Sequence, residues 1–300
     1  MNYFRGRGLK PEHFNKEVRY IVDNFLVEEA ITIFYAPPKN GKSRLALGLT
    51  KYLCSTTDKI VEYFDFDNSL ASLNERGAAL VIGELGDTLD YVHPEISPMT
   101  SKEVLTKLTD GAEPGAYKDY VFLLDSVTDF VPDVQNENMA KAFMNDMKKL
   151  RNAGATLILL HHTNKNEKNY QGSPIFKSAV DNMYYMHQGN GTEKNDLFLL
   201  DVEAGRFHVE NTAFYLDKST YALSIAPYAD AIIKPDEQVF IDSVKEVLKK
   251  HPDGMGQSEL LKELGKAKAD KQARASLSQY TGRFWKMEDG KNNSKIYYVL

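Results

Sequence analysis

The sequence predicts an α/β fold with a largely parallel sheet, followed by a small domain of helices and a hairpin. Three observations lead to this prediction. Short apolar runs alternate with helical runs from residue 31 to about residue 228, which is typical of parallel strands joined by helices. A glycine-containing turn follows the first apolar run. The composition, 42% apolar and 26% charged, is that of an ordinary globular protein and excludes disorder.

The elements of the first part of the chain follow from these patterns. Apolar runs predict buried strands at 31–36, 60–67, 120–126 and 155–162. Helical periodicity between them predicts helices at 43–53, 69–80, 101–108 and 137–152. Four shorter runs, at 182–187, 197–202, 213–217 and 221–225, are separated by turn residues and predict antiparallel hairpins at one edge of the sheet.

A polar joint near residue 234 predicts a domain boundary. Residues 1–233, including an N-terminal arm at 1–10, form the larger predicted domain and contain 24 basic and 32 acidic residues. Residues 234–300 contain 13 basic and 10 acidic residues and read as helices at 237–250, 257–264 and 271–286, then a hairpin at 287–300. This is the layout of a winged helix, so we expect duplex DNA or a replication protein to contact this domain.

Cysteine content and hydropathy limit the cellular compartments in which we expect the protein. The single cysteine, Cys54, cannot form an intramolecular disulfide or a cysteine-based metal site. No apolar run is long enough to cross a bilayer, and the polar N-terminus lacks the apolar segment of a signal peptide. We therefore expect a cytoplasmic protein with no membrane partner. Because the net charge is −5, any nucleic-acid site must be local.

Residues 36–43, Ala-Pro-Pro-Lys-Asn-Gly-Lys-Ser, lie between an apolar strand and an amphipathic run. The phosphate-binding loop has the pattern G-x-x-x-x-G-K-[ST], in which backbone amides wrap the phosphates, the lysine reaches the terminal oxygens and the hydroxyl binds magnesium. The sequence departs from this pattern only at its first position, where Ala36 replaces glycine. The pattern predicts a site for ATP and Mg²⁺ formed by Pro38, Lys39, Asn40, Gly41, Lys42, Ser43 and Arg44.

Acidic residues follow two further apolar runs. Asp125 ends the run 120–125 and has the form of the second nucleotide motif, in which an acid orders the magnesium shell together with Ser43. Residues 63–67, Tyr-Phe-Asp-Phe-Asp, form another strand that ends in acids. An acid here could polarise the attacking water, although a strand end with solvated acids is the alternative.

Two histidines end the run 155–162. His161 and His162 should point to opposite faces of a strand, so they make a poor pair of ligands for one metal. A neutral histidine at this end of a parallel strand can instead hydrogen-bond a terminal phosphate and signal to the following loop. That loop contains Lys165, Lys168 and Tyr170, a mixture suited to a nucleic-acid backbone and equally compatible with a solvated loop.

Taken together, these segments resemble the RecA-like ATPases, and among them the plasmid RepA-type hexameric helicases and their phage and mobile-element relatives. The resemblance covers residues 20–217. It rests on residues 36–43, 63–68 with Arg76, 123–126, 137–139, 155–165, Gly172 and Ser173 with Asp181, and Arg206. The run through residues 161–165, His-His-Thr-Asn-Lys, is its most distinctive part.

The resemblance implies a role for each matching residue. Lys42 and Ser43 bind the triphosphate and magnesium, Asp125 is the second-motif acid, and His162 is the sensor. Asp67 stands where the family usually has a catalytic glutamate. Residues 165–173 match the central DNA-binding loop. Arg206 resembles the finger that reaches a neighbouring subunit, although Ala204 stands where many relatives have a lysine.

The resemblance therefore implies an ATP hydrolase that forms a homo-oligomeric ring, a hexamer in these relatives, around single-stranded DNA. The leading function is an ATP-dependent DNA motor, a helicase-like ATPase in the replication of a plasmid, phage or mobile element. The alternative is a nucleotide-gated DNA-binding or loading factor that hydrolyses little, which Asp67, Ala36 and the missing lysine favour. A small-molecule kinase is a third hypothesis, but such kinases have no need of the His162 loop.

Overall fold

A computed structural model describes residues 8–15, 17–167, 169–290 and 294–300. The chain divides into two compact units, Met1–Ala231 and Ile232–Leu300. No helix within those described ranges is long and apolar enough to cross a membrane. Most of the predicted N-terminal arm, residues 1–7, and the predicted loop residue Lys168 lie outside the described residues.

The first unit is built from eleven strands and eight α-helices among its described residues. The strands are β1 (Tyr20–Val22), β2 (Leu26–Val27), β3 (Ile31–Ala36), β4 (Ile60–Asp65), β5 (Leu89–Val92), β6 (Tyr120–Asp125), β7 (Thr156–His162), β8 (Asn182–Gln188), β9 (Asn195–Gly205), β10 (Thr212–Asp217) and β11 (Leu223–Ala226). The helices are α1 (Lys42–Thr56), α2 (Leu70–Glu75), α3 (Ala78–Leu85), α4 (Ser101–Asp110), α5 (Val127–Phe130), α6 (Glu137–Asn152), α7 (Ile175–Ala179) and α8 (Tyr228–Ala231).

Nine of these strands form one sheet in the order β11-β10-β9-β8-β3-β7-β6-β4-β5. The six strands from β8 to β5 are parallel, and β9, β10 and β11 continue the sheet as antiparallel strands. The predicted α/β class, with a largely parallel sheet and antiparallel edge strands, is confirmed. Every residue of β3 is buried, and every residue of β7 except His162. The central residues of both strands are accordingly apolar, as expected for parallel strands that are covered on both faces.

Helices cover both faces of this sheet and form two separate cores. One core joins α1 and α3 to the inward side chains of β4, β8 and β9, and includes Leu49, Val81 and Phe198. The other joins α4 and α6 to the opposite face, and includes Phe143 and Leu159. The predicted helix at 137–152 has the observed bounds, since its apolar residues recur at helical spacing and Asn136 caps its first turn.

Several elements of the first unit differ from prediction, among them the strand predicted at 60–67, which ends at Asp65. The helix predicted at 69–80 is broken into α2 and α3, because Gly77 adopts a left-handed conformation (φ 77°) between them. Strand β5 was not predicted, since its four residues include Asp90 and form no continuous apolar run. It pairs with β4 and adds Tyr91 beside Tyr63.

The described residues of the second unit form three helices and a three-stranded antiparallel sheet. The helices are α9 (Pro235–Lys250), α10 (Gln257–Glu263) and α11 (Lys271–Gln279), and the strands are β12 (Met255–Gly256), β13 (Trp285–Asp289) and β14 (Lys295–Val299), in the order β12-β14-β13. The last helix ends at Gln279 rather than at the predicted residue 286. Tyr280, Phe284 and Trp285 have helical spacing, but the indole of Trp285 packs under α11 and belongs to β13.

Candidate nucleotide site

The carboxyl ends of four neighbouring parallel strands bring the predicted chemistry together. Ala36 of β3 pairs with His162 of β7, and Asp125 of β6 pairs with Asp65 of β4. Strand β6 also pairs with β7, so these residues lie along one edge of the sheet. Residues Lys42, Ser43, Asp67 and His162 line one cavity of about 620 Å³ at this edge. Parallel sheets typically bind ligands at this edge.

The turn between β3 and α1 depends on a left-handed glycine. Gly41 caps α1 with φ 80°, and Lys39 also has a positive φ of 63°. A Cβ on residue 41 would lie 2.8 Å from Cε1 of Phe198, a buried side chain of β9. The first amides of α1 have no acceptor within the helix, so they are available to an anion.

Ala36, the one departure from the loop pattern, fits without strain. It is the last residue of β3, is fully buried and is not among the described residues with positive φ. Glycine is required where the backbone must be left-handed, and position 36 is extended. Its replacement by alanine is therefore compatible with the turn.

Lys42 is a buried cation with three neighbours on the protein. Its Nζ donates to the carbonyl oxygens of Ala36 at 3.3 Å and Pro37 at 3.4 Å, and to Nδ1 of His162 at 3.2 Å. Only 6% of the residue is exposed. Burial lowers the pKa of this lysine, and the carboxylates of Asp125 and Asp67 partly oppose that shift.

Asp125 lies beneath the cavity floor and is completely buried. Its Oδ2 accepts from the phenol of Tyr63 at 2.9 Å and from the amide of Asn68 at 3.4 Å. Burial raises the pKa of Asp125 to about 7, and the charge of Asp65 adds to the rise, while the hydroxyls of Ser43 and Tyr63 oppose it. Its Oδ1 has no hydrogen-bond partner among the described residues.

Asn68 connects these acids, a role that the sequence did not reveal. Its Nδ2 lies 3.0 and 3.1 Å from the two carboxylate oxygens of Asp65, and 3.4 Å from Oγ of Ser43. Its Oδ1 accepts from Arg76, at 2.8 Å from Nη1, and Arg76 also lines the cavity. The sequence placed Asn68 and Arg76 in the segment that carries the resemblance but gave Asn68 no role of its own.

Asp65 and Asp67 have different surroundings although only one residue separates them. Asp65 is fully buried and accepts from Tyr91 at 2.6 Å and from the backbone amides of Asp67 and Asn68. Asp67 lies beyond the end of β4, and its side chain is 40% exposed in the cavity. Asp65 therefore organises the turn, and Asp67 is the acid that a bound molecule can reach.

His162 lies between Lys42 and Asp67. Because a lysine ammonium can only donate, Nδ1 of His162 must accept, and the ring is neutral with its proton on Nε2. Nε2 lies 3.9 Å from Oδ2 of Asp67. Burial, followed by the charge of Lys42, lowers the pKa of His162, against the opposing charges of Asp67 and Asp129.

The loop after β7 starts at His162 and is folded on itself. Thr163 and Tyr170 form an isolated antiparallel bridge, and the amide of Gln171 donates to the carbonyl oxygen of His162 at 2.8 Å. Lys165 is exposed and lines a second cavity of about 750 Å³ that also contains His162. Tyr170 is half-buried, with its ring edge-on to Tyr35 at 5.9 Å.

His161 faces away from the site, as the alternation of a strand predicts. It is fully buried, its Nε2 donates to the carbonyl oxygen of Gln171 at 2.5 Å, and its ring lies near Phe176. Burial lowers the pKa of His161 to about 4. It is a neutral core histidine that holds the far end of the same loop.

Two other predicted contacts of the nucleotide have protein partners. Arg44 forms an ion pair with Asp196 at 3.1 Å, and its guanidinium lies over the ring of Tyr221 at 5.6 Å while it also lines the cavity. The side-chain amide of Asn40 donates to the carbonyl oxygen of Met186 at 3.4 Å, so it fastens the turn to β8. Pro38 and Lys39 border the cavity directly.

Arg206 is not part of this cavity. It follows β9, whose Gly205 pairs with Asn182 at the start of β8, and Asn182 pairs in turn with Thr32 near the start of β3. Its guanidinium donates to the carbonyl oxygen of Ser178 at 2.6 Å and lies 3.7 Å from Asp181. The edge that holds Lys42 is about 16 Å away along β3, given roughly 3.3 Å per strand residue.

The residues at the cavity suit magnesium bound together with a nucleotide. Magnesium is usually held by one or two protein oxygens, with substrate phosphates and water completing its shell. Ser43 and Asp125 are the residues that would hold it, and the unpartnered Oδ1 of Asp125 fits that role. The described residues contain no group of three or more histidine, cysteine or acidic side chains arranged as a complete metal site.

Comparisons with known proteins add a family match. The profile described as "AAA domain" matches residues 11–168, which include β3, the turn, Asp125 and His162. A search of curated proteins gave no match. Among solved structures, the flagellar accessory protein FlaH of Methanocaldococcus jannaschii is similar over 69% of this chain and 93% of its own, with 14% identity and a TM-score of 0.47.

Proposed function

The chain belongs to the AAA domain family, and we propose that it is an ATP-dependent motor that acts on single-stranded DNA. Family membership and the cavity support nucleotide binding and hydrolysis. The finer proposal is a helicase-like ATPase in the replication of a plasmid, phage or mobile element, as the resemblance of its motifs implies. One observation supports a coupling between nucleotide binding and the loop 163–171 most directly. Lys42 contacts His162, the residue that directly precedes this loop.

In this proposal the nucleotide displaces a contact that the protein makes with itself. A triphosphate offers Lys42 better acceptors than the two carbonyl oxygens and the histidine it now contacts. His162 then loses its donor and is free to contact the terminal phosphate. Since the loop 163–171 is bonded to His162 and His161, this change reaches Lys165 and Tyr170.

The side chains divide the hydrolytic chemistry between them. Asp67, exposed in the cavity and next to His162, orients and polarises the attacking water. Bound magnesium supplies charge neutralisation for the phosphates. Ser43 and Asp125 hold that ion, and Asn68 keeps the two buried acids and Ser43 in fixed relation.

The proposal requires a second copy of the chain. Arg206 is too far from the cavity of its own subunit. Its side chain is 52% exposed while it contacts Ser178 and Asp181. We propose that it reaches the γ-phosphate held by a neighbouring subunit in a ring, which we take to be a hexamer. Such an arginine stabilises the charge that develops during phosphoryl transfer.

One observation favours the alternative, a nucleotide-gated loading factor with little hydrolysis. Asp67 has a shorter side chain than glutamate, and its carboxylate lies 3.9 Å from His162, beyond direct hydrogen-bond distance. A loosely held acid orients water poorly, so binding and assembly would continue while turnover is slow.

The decisive experiment measures ATP hydrolysis with and without single-stranded DNA, for the native chain and for Lys42→Ala. The motor requires turnover that DNA stimulates and that Lys42→Ala abolishes. Oligomerisation with ATP but negligible turnover, and no strand displacement, would support the loading factor instead. Turnover that is indifferent to both DNA and Lys42 would exclude both functions.

A further inference from the structure

Helix α11 presents an outward face that no described residue of the second unit covers. Its buried side consists of Ala273 and Leu277, which pack into the core of the second unit. The exposed positions are Lys271, Gln272, Arg274, Ala275, Ser278 and Gln279. On a helical projection, Lys271, Ala275 and Ser278 form the centre of this face, opposite Ala273 and Leu277.

The charge on and around this face is mostly positive. From residue 264 to residue 287 the chain has six basic residues and one acidic residue, Asp270. That acid is occupied as the cap of α11, where its side chain accepts from the amide of Ala273 at 2.9 Å. Two other nearby acids, Asp236 and Glu237 of α9, border a groove along the flank of α11 that Gln272 also lines. A third, Glu263, is paired with His251.

Four of these cations have no acidic partner in the part of the chain that the structure describes. Lys266, Lys268, Lys271 and Arg274 are exposed and form no ion pair with a described residue. Exposed lysines in the first unit often do form such pairs, as Lys177 does with Glu203. Unpaired cations gathered on one helix and the turn before it create a local positive potential that attracts an anionic partner.

The helix is held rigidly enough to serve as a recognition element. The indole Nε1 of Trp285 donates to the carbonyl oxygen of Leu277 at 2.9 Å, which fastens α11 to β13. Trp285 is fully buried, together with Leu260 of α10 and Ile241 of α9. A preformed surface binds without the entropic cost of ordering it.

Size and chemistry favour duplex DNA as the occupant. The nine residues of α11 span about 14 Å at 1.5 Å per residue, close to the roughly 12 Å width of the major groove. Ala275 and Ser278 are small, so the helix can approach base edges closely. Arginine and glutamine, found here at positions 274, 272 and 279, are side chains that read guanine and adenine.

We propose that the outward face of α11, with Lys268 and Lys271 in front of it, is a binding surface for duplex DNA in the major groove. A protein-docking surface usually centres on large apolar or aromatic side chains. None of the exposed large apolar residues described in the second unit, Ile232, Val239 and Leu300, is on α11. The proposal goes beyond the motor function and does not require ATP turnover.

The test compares two double variants of the full chain that remove the same charge. Lys271→Ala with Arg274→Ala alters the proposed surface, and Lys249→Ala with Lys250→Ala alters the exposed last turn of α9 as the matched control. Binding of a fluorescein-labelled 30-base-pair duplex, and of a single strand of the same length, is measured by anisotropy over a range of salt. Emission of Trp285, the only tryptophan, reports that α11 remains packed.

We expect the α11 variant to lose at least about tenfold in duplex affinity and to reduce the slope of log K against log salt by about two, near 0.9 for each lost phosphate contact. Single-strand binding and ATP hydrolysis stay at the native level. Duplex affinity equal to that of the α9 control would overturn the proposal. A native chain that binds the single strand but no duplex would overturn it as well. A native chain that does not hydrolyse ATP would refute the motor function but would leave the measured difference in duplex affinity unaffected.

Discussion

Lys42 and His162 share a hydrogen bond at the edge of the nucleotide cavity, 3.2 Å from Nζ to Nδ1. They come from α1 and β7 and are 120 residues apart in the chain. The bond fixes His162 as a neutral acceptor and holds Lys42 against carbonyl oxygens of its own loop. Phosphates and His162 therefore compete for one cation, and this competition connects the nucleotide to the loop 163–171.

His162→Ala should uncouple DNA binding from hydrolysis. The variant removes the acceptor of Lys42 but leaves the phosphate-binding turn intact, so affinity for a non-hydrolysable ATP analogue should stay within about threefold. Stimulation of turnover by single-stranded DNA should be lost, since the loop no longer senses the nucleotide. Steady-state hydrolysis with and without DNA measures this effect.

His208→Ala is the matched control, because His208 is exposed and remote from the cavity. It should retain native stimulation. DNA stimulation that survives in His162→Ala would contradict the proposed coupling.

Gly41→Ala should weaken nucleotide binding by at least about tenfold. Position 41 has φ 80°, which disfavours any side chain, and the new Cβ would lie 2.8 Å from buried Phe198. Relief of that contact must move the turn whose amides face the phosphates. Calorimetric titration with an ATP analogue measures the change in affinity.

Gly83→Ala offers a matched control within α3. Nothing lies within 4 Å of the added Cβ, and Gly83 has no positive φ. Alanine is favoured over glycine in a helix by up to about 1 kcal/mol, so this variant should be slightly more stable with native affinity. Equal affinities for the two variants would show that the turn tolerates a left-handed alanine.

Asp125→Asn should abolish hydrolysis and yet stabilise the protein without nucleotide at alkaline pH. The pKa of Asp125 is raised to about 7 by burial, so between about pH 4 and pH 7 the folded state keeps a proton that the unfolded state has lost. The free energy of unfolding therefore falls as pH rises through this window and levels off above it. Asparagine removes this loss, which is on the order of a few kcal/mol at pH 8.

Thermal unfolding in EDTA at pH 5 and pH 8 tests this sign. The melting temperature of Asp125→Asn minus that of the native protein should increase from pH 5 to pH 8. Asp110→Asn, an exposed carboxylate at the end of α4, should show no such trend. A difference that shrinks with pH would mean that Asp125 is stabilised as a carboxylate.

The parts of the site that could be predicted from the sequence are those formed by residues adjacent in the chain. Gly41, Lys42 and Ser43 are contiguous, and a buried strand before them leaves one geometry for the turn. Asp125 was predicted as the acid of the second nucleotide motif, and His162 as a neutral histidine at the carboxyl end of a parallel strand. Lys42 and His162 both line one cavity at this edge.

Residues whose role depends on packing between strands were harder to predict. Tyr91 reaches Asp65 only because β5 pairs with β4, and β5 is too short and polar to be recognised. Asn68 belongs to the segment 63–68 that the resemblance includes, but its contacts with Ser43 and Asp125 depend on how α1 and β6 pack beside β4. Helix α11 was predicted to end at residue 286 and ends at Gln279. Residues 280 and 284 have helical spacing, but Trp285 turns back and its indole packs beneath the helix.

Arg206→Ala should leave ATP binding intact and reduce turnover by at least tenfold, because its guanidinium serves the site of a neighbouring subunit.

Mixing two inactive variants shows whether Arg206 acts on the site of a neighbouring subunit or on the site of its own. A subunit with Arg206→Ala has an intact phosphate turn, and a subunit with Lys42→Ala has an intact arginine. If Arg206 acts across the interface, mixing these two inactive variants must restore part of the activity, since some sites then combine a native Lys42 with a native Arg206. If it acts within its own subunit, no mixed site is complete and no activity returns. Arg19→Ala is the control, because it removes an exposed arginine whose ion pair with Glu28 is long, at 3.9 Å. By itself this variant should hydrolyse ATP at the native rate, and mixing it with native chain should not change that rate.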